Sequence, residues 1–253
     1  MNASKITLVT GASRGLGRDT ALQLARKGND VILTFRSRAD EAAAVVKDIE
    51  AQGRKAVALQ LDTTQIASFG DFSARLGTAL RQTWQRDSFD HLVNNAGYSV
   101  KASFAETTEA QFDSLLNVHF KGVYFLTQQL LPQIADGGGI VCLSTGLTRF
   151  AVPGYAPYAA MKSAIEGLVK YLAKELGPRR IRANVVAPGA IHTDFNRAGF
   201  EAHPQMVDFL AAQTALGRVG QPEDIGGVVA FLCSPDAGWV NAQRLEASGG
   251  MFL

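Results

Sequence analysis

The chain alternates strand-like and helix-like segments along nearly its whole length, and this alternation constrains its fold more than any other feature. Short segments rich in Val, Ile and Leu recur between longer amphipathic segments with a helical period. Strands are predicted at residues 5–10, 30–35, 55–61, 89–94, 140–143, 181–186 and 244–247. Helices are predicted between the glycine turn that ends at residue 17 and Gly28, and at 39–52, 66–86, 109–131, 156–176 and 222–233. This order predicts an α/β fold with a doubly wound, mostly parallel seven-stranded sheet and helices on both faces.

The size and composition of the chain agree with a single domain over residues 1–253. With 47% hydrophobic and 19% charged residues it is typical of a soluble globular protein, and no apolar run is long enough to span a bilayer. The dispersed basic residues and a net charge of +2 predict no nucleic-acid or membrane-surface binding. A strand-like segment at residue 5 leaves no room for a secretory signal, so we expect a cytoplasmic protein. The two cysteines lack companions at metal-ligand spacing, and no metal site is predicted.

A glycine-rich turn joins the first predicted strand to the first helix. Gly11, Gly15 and Gly17 allow tight backbone turns, and the free N–H groups at the helix start attract a phosphate. Their spacing differs from the G-x-G-x-x-G of the general Rossmann dinucleotide fingerprint. The segment is therefore interpreted as a Rossmann-type phosphate turn, and a simple strand-to-helix corner is the alternative.

The ends of the second and third strands bear on the choice of cofactor. NAD-binding folds often carry an acidic residue about 20 positions beyond the glycines, and this chain has Arg36 there. A guanidinium at this place suits a 2′-phosphate, which Arg14 in the glycine turn could also approach, so NADP is favoured over NAD. Two solvated surface arginines are the alternative. Asp62, after the third strand, is either an acceptor for an adenine amino group or a turn residue.

Polar residues follow the later strands, where ligands of open α/β sheets bind. Asn94 to Gly97 ends the fourth strand, Ser144 follows the fifth, and Pro188, Gly189 and Thr193 follow the sixth. The irregular stretch 194–217 is predicted to be a helical insertion that covers the site, although a packing helix without a gating role is also possible. Asn117 lies in the predicted long helix, where a buried amide requires a reason such as a core hydrogen bond or a function.

Tyr158 and Lys162 are four residues apart on a predicted helix and therefore lie one above the other on the same face. An ammonium beside a phenol favours the phenolate, so the pair is a candidate general acid or base. An ordinary half-buried aromatic and a solvated lysine are the alternative.

Together these motifs resemble those of the short-chain dehydrogenase/reductase family, and the resemblance covers essentially the whole chain. The elements that carry it are Thr10-Gly11-x-x-x-Gly15-x-Gly17, Asn94-Asn-Ala-Gly97, Asn117, Ser144, Tyr158-x-x-x-Lys162 and Pro188-Gly189 with Thr193. The resemblance implies hydride transfer between NADP(H) and a ketone or secondary alcohol, with Tyr158 as general acid or base. It further implies that Lys162 holds the nicotinamide ribose and lowers the tyrosine pKa, that Ser144 orients the carbonyl, and that Asn117 organises a water chain.

The resemblance implies a cofactor site formed by many of these same residues. They are Gly11, Ser13, Arg14, Gly15, Leu16, Gly17, Arg36, Ser37, Asp62, Asn94, Ala96, Gly97, Tyr158, Lys162, Pro188, Gly189, Ile191 and Thr193. A homotetramer is also implied, with the Tyr158 helix, the last strand and the apolar residues 249–253 near subunit contacts.

Among the members of this family the chain resembles the 3-oxoacyl-(acyl carrier protein) reductases and related small-ketone reductases. An acidic carrier protein requires basic residues near the entrance, for which Arg149, Arg179, Arg180 and Arg197 are the candidates. Four aromatic residues instead suggest a partly apolar pocket for a small-molecule substrate, namely Phe150, Tyr155, Phe195 and Phe200. A place in the core is the alternative for each of them. Two other functions remain open: a dehydrogenase that runs towards the ketone, and a redox-inactive nucleotide-binding regulator on the same fold.

Overall fold

The computed structural model describes residues 4–253, and Met1–Ala3, on which part of the expected absence of a secretory signal rests, lie outside the described residues. The sheet has seven strands in the order β3-β2-β1-β4-β5-β6-β7, and every neighbouring pair is parallel. The strands are β1 Ile6–Val9, β2 Asp30–Phe35, β3 Ala56–Gln60, β4 Phe89–Asn94, β5 Ile134–Leu143, β6 Arg182–Pro188 and β7 Arg244–Ala247. The predicted parallel seven-stranded sheet is confirmed.

Helices cover both faces of this sheet, as the alternation predicted. They are α1 Gly15–Arg26, α2 Ala39–Glu50, α3 Phe69–Trp84, α4 Glu109–Leu116, α5 Gly122–Leu130, α6 Ala156–Glu175, α7 Asp194–Ala202, α8 Gln205–Ala212 and α9 Pro222–Leu232. One apolar core lies between the sheet and α3, α5 and α6, and a second lies between the sheet and α1, α2 and α9. Because both faces of the central strands are buried, these strands are rich in apolar residues, whereas β3 and β7 at the two edges are partly exposed.

The helix predicted over residues 109–131 is interrupted. Asn117–Lys121 forms a π-helical turn between α4 and α5, closed where the Gly122 N–H donates to the carbonyl of Asn117. Gly122 lies very close to neighbouring backbone, since a Cβ on it would be 2.1 Å from the carbonyl oxygen of Thr63. Glycine is thus required at this point, and the turn changes which side chains face the sheet edge.

The strand order reverses at β1, so that β2 and β4 lie on its two sides. In doubly wound sheets, this reversal leaves a crevice at the carboxyl ends of the strands. Residues that follow β1, β2, β4, β5 and β6 meet at this edge, and α7 and α8 lie beyond the end of β6. Within residues 4–253, no helix is long and apolar enough to cross a membrane.

Candidate active site

A cleft of about 830 Å³ opens at the carboxyl edge of the sheet, from the β1–α1 turn to the start of α6. It brings together most of the residues singled out in the sequence. Those that line it are Gly11, Ser13, Arg14, Gly15, Leu16, Gly17, Arg36, Ser37, Asp62, Ala96, Gly97, Ser144, Tyr158, Lys162, Pro188, Gly189, Ile191 and Thr193. Asn94 and Asn117 do not line the cleft.

The glycine turn has the geometry of a phosphate cradle. Gly11 and Gly15 have φ values of +64° and +57°, which side chains other than glycine rarely adopt. A Cβ on Gly17 would lie 2.4 Å from the carbonyl oxygen of Gly11, so a larger residue would collide with the turn. The first residue before α1, Arg14, makes no side-chain cap, and the N–H groups at this helix start are therefore available to an anion.

Arg14, Arg36 and Arg38 lie at this end of the cleft and differ in their surroundings, and Arg38 pairs with Glu41. Arg36 is exposed, and within residues 4–253 its guanidinium forms no ion pair. Arg14 instead pairs with Asp194, at the start of α7, with 3.2 Å between Nη1 and Oδ2. Arg36 is therefore a cation without an ion-pair partner among the described residues, and Arg14 links the glycine turn to α7. Asp62 accepts from the backbone and hydroxyl of Thr64, so this cleft residue is also a turn residue.

Tyr158 and Lys162 are both buried on the first two turns of α6, as their spacing predicted. The Lys162 Nζ lies 5.8 Å from the centre of the Tyr158 ring and donates to the carbonyl oxygen of Leu143 at 2.7 Å. Burial lowers the pKa of Lys162 to about 8. Burial also raises the pKa of Tyr158, and this outweighs the hydrogen bond from Thr145 that lowers it. The net shift of the Tyr158 pKa is thus opposite to the lowering expected from the sequence.

The hydroxyl beside Tyr158 belongs to Thr145 and not to Ser144. The Ser144 Oγ donates to the Glu166 Oε1 at 2.7 Å. Thr145 lines the cleft with Tyr158 and is the side chain whose hydroxyl lowers the Tyr158 pKa, and its Oγ1 accepts the N–H of Leu147 at 3.3 Å. With its oxygen already accepting a bond, the Thr145 hydroxyl has its own proton to donate. The structure therefore differs from the expectation that Ser144 faces the reacting group.

His119 occupies the place expected for Asn117. Its ring lies edge-on to Tyr158, with the ring centres 5.0 Å apart, and its Nε2 lies 2.5 Å from the carbonyl oxygen of Tyr98. A carbonyl only accepts, so Nε2 carries the proton and Nδ1 is a bare acceptor. Burial and the charge of Lys162 lower the His119 pKa to about 3, which keeps the imidazole neutral. The sequence analysis missed His119; the signal that could have found it is a histidine two residues after Asn117, among the apolar residues Val118 and Phe120.

At the end of β4, the two adjacent asparagines Asn94 and Asn95 have different surroundings. The Asn94 Nδ2 donates to the Thr127 Oγ1 at 3.1 Å inside the protein, which makes Asn94 a satisfied core amide. Asn95 lines the cleft, and its Nδ2 donates to the carbonyl oxygen of Thr10 at 2.8 Å. Asn95 therefore holds the glycine turn against β4.

The end of the cleft beyond Tyr158 is apolar. Phe195 on α7 lies with its ring centre 6.1 Å from that of Tyr158, and Met206 and Leu210 on α8 contribute to the same wall. Other apolar or aromatic residues that line the cleft are Leu147, Phe150, Val152, Tyr155, Phe200 and Met251. The segment 194–217 thus forms a wall of the cleft, and its role as a cover stays a prediction.

Most of the candidate arginines for an acidic partner are engaged by carboxylates. Arg149 bonds Glu246, Arg179 bonds Asp136, and Arg197 pairs with Asp194. Arg180 immediately precedes β6, at the amino edge of the sheet and away from the cleft. At the cleft mouth, the exposed Lys101 makes no ion pair within the described part of the chain. No group of three or more potential metal ligands is found in residues 4–253.

Comparison with known proteins gives matches along the whole chain. A protein family described as Enoyl-(Acyl carrier protein) reductase matches residues 11–252. An uncharacterized oxidoreductase of Methylorubrum extorquens is 40% identical over 247 residues, covering 98% of this chain and 97% of the relative. A hydroxynaphthalene reductase-like protein Arp2 of Metarhizium brunneum is 36% identical over 262 residues, covering 98% and 95%. A 3-oxoacyl-[acyl-carrier-protein] reductase FabG of Staphylococcus aureus is 35% identical over 255 residues, covering both chains fully.

Solved structures similar to this one include two reductases. The angucycline C-6 ketoreductase LanV with bound NADP superposes with a TM-score of 0.92 at 36% identity, covering 98% of this chain and 95% of that one. The promiscuous reductase LugOII, described as catalysing keto-reduction at C1 during lugdunomycin biosynthesis, gives a TM-score of 0.92 at 34% identity, covering 98% of both chains.

Proposed function

Because the chain belongs to the short-chain dehydrogenase/reductase family and is therefore an oxidoreductase, we propose that it reduces a ketone to a secondary alcohol with NADPH. One observation carries this proposal. The Tyr158 phenol, the Lys162 ammonium and the Thr145 hydroxyl meet in the cleft that begins at the glycine turn and Arg36. An acid, a cation and a hydrogen-bond donor in one water-poor place suit proton transfer to a developing alkoxide.

NADP(H) is the cofactor, and its features fit the residues present. The glycine turn and the start of α1 suit a pyrophosphate, and the unpaired Arg36 suits a 2′-phosphate. The similar ketoreductase LanV holds NADP in its solved structure. When bound, the cofactor supplies the hydride. The residues expected to hold its nicotinamide end are Gly97, Lys162, Gly189 and Thr193.

This chain's own side chains supply the proton and bind the carbonyl oxygen of the substrate. Tyr158 is a neutral phenol because burial raises its pKa, and a neutral phenol is the form that gives a proton to an alkoxide. Thr145 donates to the same oxygen and Lys162 holds positive charge beside it. His119 takes the position in which Asn117 was expected and keeps the Tyr158 ring in place without adding charge. The neutral phenol is the form that serves reduction, and its phenolate is the form that would serve the reverse dehydrogenase reaction.

For the substrate, we propose a ketone on a fused aromatic ring system. The apolar and aromatic wall beyond Tyr158 suits a flat ring, and two of the similar proteins are named as hydroxynaphthalene reductase-like and as an angucycline ketoreductase. A carrier-bound acyl chain is less favoured, since Arg149 and Arg197 are paired with carboxylates and do not offer a free basic surface.

A homotetramer remains our proposal for the assembly. Several large apolar side chains are exposed on the helices and near the last strand, among them Phe112, Tyr124, Tyr171, Phe231 and Trp239. Exposed apolar patches of this kind often mark contacts between subunits.

The experiment that tests the proposed function is an NADPH-oxidation screen over aromatic ketones, quinones, β-ketoesters and acyl thioesters, with a Tyr158→Phe variant beside the wild type. Removing the phenol hydroxyl should lower kcat by about 10² to 10⁴. NADPH affinity, measured by fluorescence titration, should change less than about twofold. Tyr171→Phe is the matched control on the same helix; it keeps the exposed aromatic ring, and therefore any subunit contact, removes only a hydroxyl, and should keep wild-type activity.

Two results would contradict the proposal. Activity of Tyr158→Phe above about a hundredth of wild type would show that Tyr158 is not the general acid. Tight NADPH binding by the wild type without oxidation on any ketone would favour the nucleotide-binding regulator instead.

A further inference from the structure

A single guanidinium joins the last strand, the Tyr158 helix and the loop after β5. Arg244 on β7 donates from Nε to the Glu166 Oε1 at 2.8 Å and from Nη1 to the Glu246 Oε2 at 3.0 Å. Its Nη2 donates to the carbonyl oxygen of Thr145 at 3.1 Å and contacts the Thr148 hydroxyl at the same distance. The planar fork of an arginine is suited to holding several acceptors in fixed directions at once.

Glu166 holds the same loop from the other side. Its Oε1 accepts from the Ser144 hydroxyl at 2.7 Å and from the Thr148 hydroxyl at 2.8 Å, in addition to Arg244. Glu166 lies one helical turn beyond Lys162 on α6. The helix that carries the acid and the ammonium thus also carries the anchor for the loop that presents Thr145.

We infer that Arg244 and Glu166 are positioning residues, which fix the loop 144–148 so that the Thr145 hydroxyl faces Tyr158. This inference rests on the proposed function, in which Thr145 donates to the substrate oxygen. The Thr145 carbonyl is held by Arg244 and its Oγ1 by the Leu147 N–H, so both ends of the residue are fixed. A hydroxyl displaced by about 1 Å from its reacting partner can cost roughly 100-fold in rate.

The substrate wall should stay in place when Arg244 is changed, because other contacts hold it. Glu246 is held independently by two bonds from Arg149, which also binds the carbonyl oxygen of Phe252 at 2.8 Å and that of Met251. Met251 lines the cleft. Loss of the Arg244 guanidinium should therefore affect kcat much more than the KM for ketone or NADPH.

The test compares Arg244→Gln with Arg86→Gln. Arg86 has a similar exposure, 28% against 25%, and its partner Asp90 lies near the start of β4, at the opposite edge of the sheet. We expect Arg244→Gln to lower kcat by about 10- to 100-fold, with both KM values within about twofold. Arg86→Gln should keep the wild-type kcat.

Hydrogen exchange gives a readout that does not depend on the reaction. Amides of residues 144–150 should exchange faster in Arg244→Gln than in the wild type, and at the wild-type rate in Arg86→Gln. This expectation does not depend on the identity of the substrate. If the wild type reduces no ketone but this exchange difference is seen, the proposed function fails while the positioning of the loop stands.

A double-variant cycle separates positioning from a general effect. If Arg244 acts through Thr145, then Arg244→Gln in a Thr145→Val background should lower kcat less than about twofold further. Independent, multiplicative losses would overturn the inference, as would a kcat of Arg244→Gln within twofold of wild type. Should Arg244→Gln not fold, Glu166→Gln tests the same claim from the other side of the loop, with the same expected loss of kcat and the same overturning result.

Discussion

Replacing Thr145 by Val tests most directly which hydroxyl serves the reaction. Valine keeps the shape of the side chain and removes the group that lies beside Tyr158. Loss of one preorganised donor at a developing oxyanion costs about 2.7 to 4 kcal/mol, a fall of roughly 10² to 10³ in kcat. Thr145→Ser, which keeps a hydroxyl, is the matched control and should stay within about tenfold of wild type.

The neighbouring change Ser144→Ala should behave differently. It removes one of three donors to the Glu166 Oε1 and leaves Thr148 and Arg244 in place. A hydrogen bond of this kind contributes about 1 kcal/mol, which lowers Tm by roughly 2 to 4 °C in a protein of this size.

Steady-state kinetics with NADPH and a reducible ketone, together with thermal unfolding, measures both effects. The assignment would be refuted if Thr145→Val kept more than a tenth of the wild-type kcat. If Ser144→Ala instead lowered kcat by about 10² with Tm unchanged, Ser144 would be the residue that donates to the reacting oxygen.

Two further predictions concern the cofactor. Arg36→Asp should lower NADPH affinity and reverse the preference towards NADH, because a carboxylate repels a 2′-phosphate; equal kcat/KM of the wild type for NADPH and NADH would contradict this. NADPH affinity should fall as pH rises through about 8, the pKa to which burial lowers Lys162, because the ammonium is lost above that pH. Between that pH and 10.5, where unfolded chains keep the lysine proton, the stability of the cofactor-free protein should instead rise with pH, so urea unfolding and NADPH titration should show opposite trends. An NADPH affinity that does not change from pH 7 to 9 would contradict the role of the Lys162 ammonium in cofactor binding.

The fold could be predicted because its signals are local and repeated. Strands buried on both faces are continuously apolar, and each is separated from the next by a helix of clear period. Element ends moved by a few residues; for example, the predicted helix 66–86 is an α-helix over Phe69–Trp84, preceded by a 3-10 turn at Ile66–Ser68. The parallel order of seven strands then follows from the connections.

The candidate site was harder to predict where two adjacent polar residues end a strand. Asn94 continues the alternation of β4 towards the core under α5 and α6, where Leu92 also lies. Ser144 continues the alternation of β5 on the side of Cys142, so its hydroxyl turns to Glu166 on α6 although the residue still borders the cleft. The next residues, Thr145 and Asn95, turn to the cleft. Counting the period of two from the buried residues would have given this result, whereas matching a motif to the first polar residue did not.

The pKa of Tyr158 could not be read from a spacing. The separation of four residues correctly placed Lys162 beside the ring, but the depth of burial depends on the packing of His119, Phe195 and α6 around the phenol. Burial is a property of the whole fold, and here it has the larger effect on the phenol.

The π-helical turn at Asn117–Lys121 has a consequence for comparing this chain with its relatives. A turn closed by a bond over five residues works as a one-residue insertion within a helix, and it rotates everything after it by about 100° relative to an uninterrupted α-helix. Residues of α4 and α5 therefore follow two different helical phases. A substitution pattern read with one phase across 109–130 would assign half of the side chains to the wrong face, and a one-residue deletion within the turn would move His119 away from Tyr158 without changing the length of either helix.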